Sequence, residues 1–293
     1  MKAYLDLTKT GIIIFALMSA LAGYAMSASA GRGFDWNPIL ILLMGLYFAC
    51  AGSFALNQAQ EWKLDAQMKR TRNRPIPSGQ IAPWQAYLIG FSFLAFGLLV
   101  LYALQPLTAQ LTLLTVVMYN GLYTMFFKKY WAFGAVPGAL PGAMPVLIGY
   151  SVNSSYLLTP EAVYLFLIMF LWQMPHFWSL AIRFREDYAK AGFPVLPTQL
   201  GTHRTLYHIG LYVFVYVGVA IGSPWFLKAN VMYLFLVIPV ALKVMLEFFK
   251  YFKASGQQRW LPFFLWTNLS VLVFLAVPVV DRWVFYIWSM QGF

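Results

Sequence analysis

Charge is scarce in this chain: Asp, Glu, Lys and Arg make up 10% of its 293 residues, while 61% are hydrophobic and 19% aromatic. A chain this poor in charge cannot cover a water-facing surface. That excludes a soluble globular domain and leaves a polytopic α-helical membrane protein. A transmembrane barrel is excluded as well, because the apolar runs are roughly twenty residues long and apolar all round, whereas barrel strands alternate over roughly ten. Cysteine is nearly absent too. Cys50, the one example, falls inside an apolar run, so the chain has neither a disulfide framework nor a cysteine metal site. The histidines, His176, His203 and His208, are too few and too scattered for a transition-metal cage. Acidic residues are fewer than half the basic ones, 9 against 20, which leaves a net charge of +11.

What is present is long apolar sequence. The runs predict an all-α integral membrane protein with nine membrane helices, at 10–30, 37–56, 83–104, 107–127, 132–150, 161–182, 206–227, 230–248 and 261–281. Each is long enough to cross about 30 Å of hydrocarbon. With the N-terminus in the cytoplasm, every Lys and Arg except Arg32, Lys228 and Arg282 falls on the cytoplasmic side. That bias fits an odd number of crossings, with the N-terminus inside and the C-terminus on the far side. The positive charge is then a matter of topology and of attraction to anionic lipid headgroups, not a nucleic-acid surface. The first apolar run lacks a strongly basic n-region and an A-x-A cleavage site, so it is expected to be a retained helix. There is also no Arg- and Ser-rich leader, and a bacterial cytoplasmic (inner) membrane is the simplest location. The chain is expected to form a single membrane domain over 1–293.

The long loops at 57–82 and 183–205 are both cytoplasmic, and the connections on the far side are short and nearly uncharged, so function is expected on the cytoplasmic face. The first loop opens with Asn57, Glu61 and Asp65 at four-residue spacing. On a helix continuing from the second run they drift about 40° per step and line one face over about 12 Å. Carboxylates at i, i+4 repel each other and call for a positive partner. Two partners are open. One is a solvated helix end paired with Lys63, Lys69 or Arg70; the other is Mg2+, which takes oxygen ligands and bridges to substrate phosphates. Arg70, Arg72 and Arg74 follow at once, with guanidinium forks suited to phosphate oxygens. Tyr123, Lys128 and Lys129 close the fourth run at the same level. Lys129 reads as a helix-end anchor, whereas Lys128 could face inward as a point charge on a phosphate.

The sixth run ends in WQMPHFWSLAIRFREDYAKAG, which places His176 inside the membrane about two turns from Arg183, Arg185, Glu186, Asp187 and Tyr188. An ionisable residue inside the membrane is a functional candidate; the alternative is a neutral histidine bonded to a carbonyl freed by Pro175. His203 and His208 read as surface or packing residues. The fifth run, GAVPGALPGAMPVLIG, is either a packing and kink device or a thinned wall beside a cavity.

Taken in order, these motifs resemble the UbiA superfamily of intramembrane prenyltransferases, and more narrowly its haem-farnesylating branch. The resemblance rests first on NQAQEWKLDAQMKRTRNRP, with Asn57, Glu61, Asp65, Met68, Arg70, Thr71, Arg74 and Pro75 as fixed points. It rests next on Tyr123 and Thr124 with Lys128 and Lys129, on GALPGAMPVLIG, and on Trp172, Pro175, His176 and Phe177 leading into REDYAKAGFPVLP. Glu61 stands where most of the superfamily has Asp. The usual second pair of aspartates is replaced by Glu186 and Asp187. Trp131, Gly134 and Val146 depart from the haem branch's usual residues.

The resemblance implies a bundle of nine helices and transfer of a farnesyl group from farnesyl diphosphate to a vinyl group of haem B, with water adding. It implies that Asn57, Glu61 and Asp65 bind Mg2+ and the diphosphate, that Arg70, Arg74 and Lys128 contact phosphate oxygens, and that Asp187 stands at the second polar motif. His176, as a haem ligand or propionate partner, with Arg183, Arg185 and Tyr188, would serve the haem. A haem A synthase or terminal oxidase is implied as the receiver of product. Other classes fit less well: a quinone or aromatic prenyltransferase would carry the second aspartate pair, and a transporter would show repeats and midplane charge. An electron-transfer haem subunit would need paired intramembrane histidines.

Overall fold

The computed structural model describes residues 2–28, 35–225, 227, 231–256 and 258–290. Among them all regular structure is helical, and a helix lies on each predicted apolar run. A short α1 (Lys2–Thr8) leads into α2 (Thr10–Ser27), α3 (Trp36–Asp65) and α4 (Pro83–Leu104). Next come α5 (Pro106–Val116), a π-helical stretch (Val117–Phe127), the single turn α6 (Lys128–Tyr130) and α7 (Ala135–Tyr150). The chain continues through α8 (Pro160–Arg183), α9 (Arg185–Lys190), α10 (Leu196–Gln199), α11 (Gly201–Ile221), α12 (Val231–Lys253) and α13 (Trp260–Met290). Six helices, α2, α3, α4, α8, α11 and α13, are long and apolar enough to cross a membrane, and α7 is apolar but shorter. The protein is therefore a multi-pass membrane protein. Arg32 and Lys228, which the predicted topology puts on the far side, lie outside the described residues.

Local chemistry fixes several helix starts. Pro83, Pro106 and Pro160 sit at the first turns of α4, α5 and α8, where a missing N–H goes unnoticed. The Asp35 carboxylate accepts from the Asn37 N–H at 3.0 Å to cap α3, and the Thr159 hydroxyl accepts from the Ala162 N–H at 3.2 Å to cap α8.

Two segments differ in extent or form from the predicted runs. Helix α3 runs beyond the predicted end at 56 to Asp65, carrying the polar ladder on regular helix. The fourth run, expected as one helix over 107–127, is α-helical only to Val116 and then widens into the π-helix. Asn120 supplies the reason. Its amide donates to the Ser53 carbonyl at 2.9 Å, the Ser53 hydroxyl donates to Asn120 Oδ1 at 2.6 Å, and Gln60 donates to the Asn120 carbonyl at 3.3 Å. These bonds tie the stretch to α3 and engage a carbonyl that would otherwise serve only the α-helical ladder.

Small residues set the closest helix contacts. A Cβ at Gly149 would run into the Ala20 backbone, and one at Gly23 into the Val146 carbonyl, so α2 and α7 touch backbone to backbone. Gln173 of α8 donates to the Ala139 carbonyl of α7 at 3.0 Å, and its amide fills the space left by Gly142. The Gly/Pro-rich helix thus works as a packing device along this face. At the C-terminal end of α2, the Trp283 indole N–H donates to the Ala25 carbonyl at 3.0 Å and Arg282 donates to the Met26 carbonyl, which closes α13 onto α2.

Gly149→Val is expected to lower stability by about 1–3 kcal/mol through overpacking, read as a reduced thermal midpoint in detergent. Gly11→Ala, at a position with nothing within 4 Å, should leave the midpoint unchanged.

Candidate active site

The extension of α3 carries Asn57, Glu61 and Asp65 into the protein interior, each 2% exposed. Ionised carboxylates at that depth require partners. Each ladder residue meets one cation, and each cation comes from a different segment. Lys128, just after the π-helix, donates to Glu61 Oε2 at 2.6 Å. Arg74, in the loop after α3, donates to Asp65 Oδ2 at 2.7 Å. Lys9, between α1 and α2, donates to Asn57 Oδ1 at 3.2 Å. The ladder is therefore not a solvated helix end, and neither Lys63, Lys69 nor Arg70 pairs with it. Burial works against the charge on Lys128, but the Glu61 carboxylate prevails and holds its pKa above the ordinary lysine value.

Lys9 is the residue sequence reasoning missed, because a lone lysine at the start of a membrane helix looks like any cytoplasmic anchor. Its backbone is left-handed, with φ 51° and ψ 46°. For a residue with a Cβ that conformation costs roughly 1–2 kcal/mol, the kind of local strain that collects at functional sites. The surroundings enforce it. Gln58, one position from Asn57, donates to the carbonyls of both Asp6 and Leu7 at 2.8 Å, and Leu7 is fully buried against Ala55 and Ala59 of α3. The ammonium stands 5.2 Å from the centre of the Phe54 ring. Burial, followed by the nearby charges of Arg74 and Lys128, pulls its pKa down to about 7.

The π-helix orients Asn57 from the other side. Thr124 Oγ1 accepts from Asn57 Nδ2 at 3.1 Å, and Glu61 Oε2 accepts from the same amide at 3.2 Å, so Oδ1 is the atom turned towards Lys9. Tyr119 and Tyr123 stack with centroids 5.8 Å apart, and Tyr119 meets Phe54 edge-on at 5.9 Å. These rings form an aromatic wall beside the ladder.

The two long loops roof the site. Met68, from the first, is buried against Ala191 and Phe193 from the second. Arg70 donates to the Tyr188 hydroxyl at 3.3 Å and lies over the Phe184 and Tyr188 rings, and Lys128 lies over Phe193. A cavity of about 80 Å³ opens beside Lys128 and Tyr188, walled by Tyr123, Trp131, Phe177 and Phe193. Asp187 is half-buried on α9 and makes no hydrogen bond to the ladder. Arg183 and Arg185 are exposed at the rim, with Arg183 over the Trp260 ring. His176 lies between Trp172 and Phe264, 4.8 and 4.9 Å between centroids. It bonds the Asn268 side chain of α13, not a carbonyl of its own helix, and its Nδ1 has no partner. His203 and His208 meet the neighbouring Tyr207 and Phe133 rings edge-on.

The donor set suits a hard cation. Glu61 Oε1 is buried without any hydrogen-bond partner, on the helix that also carries the Asn57 carboxamide and the Asp65 carboxylate into the interior. Among the described residues no group of three His, Cys, Asp or Glu could hold a metal alone.

The UbiA prenyltransferase family matches residues 16–269. The chain belongs to that family of membrane prenyltransferases. A protoheme IX farnesyltransferase from Bdellovibrio bacteriovorus is 49% identical over 97% of this chain and 98% of its own length. Among solved structures, one of digeranylgeranylglyceryl phosphate synthase superposes with a TM-score of 0.75 at 21% identity, covering 95% of this chain and 98% of that one. A UbiA homologue from Archaeoglobus fulgidus bound to GPP and Mg2+ gives 0.65 at 17% identity, covering 94% and 99%. These two likenesses carry the fold.

Removing Lys128 leaves Glu61 buried and unpaired. Lys128→Met is expected to destabilise the protein by roughly 3 kcal/mol, near the lower end for a broken buried pair because Lys128 is partly exposed. Adding Glu61→Gln to Lys128→Met should recover much of the loss, as measured by thermal unfolding of the two variants.

Proposed function

We propose that the protein transfers the farnesyl group of farnesyl diphosphate to a vinyl group of haem B, with water adding, to form haem O. The observation that carries the diphosphate half is the buried ladder of Asn57, Glu61 and Asp65 with a cation on each rung. The acceptor is supported by the 49% identity, over nearly the full length, to a protoheme IX farnesyltransferase.

Asn57, Glu61 and Asp65 would hold Mg2+. Bound there, the ion would neutralise diphosphate oxygens and stabilise the leaving group. Arg70, Arg74 and Lys128 would take phosphate oxygens, with Arg74 and Lys128 turning from their carboxylates as those engage the metal. As the C1–O bond of farnesyl diphosphate breaks, Tyr119, Tyr123 and Phe54 would present ring faces to the allylic cation and keep water from it. The terminal carbon of the haem vinyl group then bonds to farnesyl C1, water adds to the neighbouring carbon, and a proton is released. His176 in its aromatic slot, with Tyr188 and the rim residues Arg183 and Arg185, would serve the macrocycle and its propionates; Asp187 would stand at the second polar motif.

The same reading takes 1–293 as one domain of nine crossings in a bacterial inner membrane, with the N-terminus and active site on the cytoplasmic side and the C-terminus on the far side. The charge bias supports it, as does the meeting of the ladder with the two loops predicted to be cytoplasmic. Haem O would pass to a haem A synthase or terminal oxidase.

Purified protein supplied with Mg2+, haem B and farnesyl diphosphate is expected to release diphosphate and form haem O. Asp65→Asn should lower kcat on the order of 100-fold or more. Equal turnover by wild type and Asp65→Asn would remove the metal-site argument, and chelation of Mg2+ should abolish the wild-type rate.

A further inference from the structure

Lys9 differs from the other two ladder cations in what it faces. Lys128 is offset by Glu61 and Arg74 by Asp65, whereas Lys9 bonds a neutral carboxamide and lies over a phenyl ring. Among the described residues no carboxylate lies within ion-pairing distance of it. The fold spends a left-handed backbone, two side-chain bonds from Gln58 and the buried Leu7 on placing this charge at the ladder. A carboxamide oxygen alone would be satisfied by a neutral donor. A cation placed there with no anion of its own is complementary to an anion that arrives later.

We infer that Lys9 is a diphosphate-contacting catalytic residue. In the empty site it holds Asn57 Oδ1. With that oxygen engaged by a bound metal, the ammonium would pass to a phosphate oxygen and stay with it as the C1–O bond breaks. Positive charge then meets the diphosphate from three sides, Lys9 from the α1–α2 break, Lys128 from the π-helix and Arg74 from the loop, so negative charge building on the leaving oxygens does not depend on the metal alone. The inference rests on the diphosphate site proposed above and adds a residue to it.

Three variants separate contact with diphosphate from mere positioning of Asn57. Lys9→Met removes both charge and donor, Lys9→Gln removes the charge but keeps a donor, and Lys9→Arg keeps both. The probes are inorganic pyrophosphate with Mg2+, titrated calorimetrically into the full-length protein in detergent, and the KM values for farnesyl diphosphate and haem B. Lys9→Met and Lys9→Gln are both expected to weaken pyrophosphate binding and raise the farnesyl diphosphate KM by at least about tenfold. The haem B KM should stay within about twofold and Lys9→Arg should restore most of the affinity. Wild-type affinity for pyrophosphate in Lys9→Gln would overturn the inference and leave Lys9 a positioning residue. Equal loss of both substrates in all three variants, with a lowered thermal midpoint, would overturn it as well by making the role structural. If Lys9→Met fails to fold, Lys9→Gln carries the comparison. A wild type that binds no Mg2+ and pyrophosphate would instead sink the diphosphate site itself.

Discussion

Two carboxylates buried to 2% exposure inside a membrane protein set the terms for everything around them. Ionised and unpaired, they would be intolerable at that depth, so each must be met by a cation in hydrogen-bonding geometry. No single helix can bring cations in from three directions. The chain does so with a strained turn between α1 and α2, a π-helical stretch ahead of Lys128, and a tight turn after α3 in which the Thr71 hydroxyl donates to the Asp65 carbonyl at 2.8 Å. These three irregular segments of a largely helical structure converge on one ladder.

The rest of the bundle can then be plain. Away from the ladder, helices approach through glycine and alanine, and some buried polar groups satisfy each other in pairs. Tyr164 and Tyr233 share a hydrogen bond at 2.6 Å, and Thr108 and Ser151 share one at 2.8 Å. Such contacts need no water and hold the frame rigid around the site.

Much of this could be read from residue order. Apolar length located the long helices but not the short α1, α6, α9 and α10, and the bounds of α4 came out as expected, because a run ending at Gln105–Pro106 has a covalent stop. The four-residue spacing of the ladder foretold one helical face, and Lys128 and Arg74 could be singled out by charge near carboxylates. Three things were hidden. Lys9 had no local signature, since its role depends on Gln58 pulling α1 down from 49 residues away in number, Lys9 to Gln58. Asn120 looked like one polar residue in an apolar run, and only its bonds to Ser53 and Gln60 reveal the widened helix. Asp187 and His176 were placed by motif, yet motif does not encode distance: one stands apart from the ladder, and the other turns to α13.

The π-helical stretch also bears on how the chain tolerates change. An α-helix advances about 100° per residue, and a π-turn takes up an extra residue in each closed ring. Deleting a single residue between Val117 and Phe127 would let the stretch tighten towards the α form, with every backbone bond still made and the membrane still crossed. The helix end would, however, be rotated by roughly a quarter turn, carrying Lys128 off Glu61 and Thr124 off Asn57. Here insertion or loss of one apolar residue, nearly silent in hydropathy, acts as a change of aim.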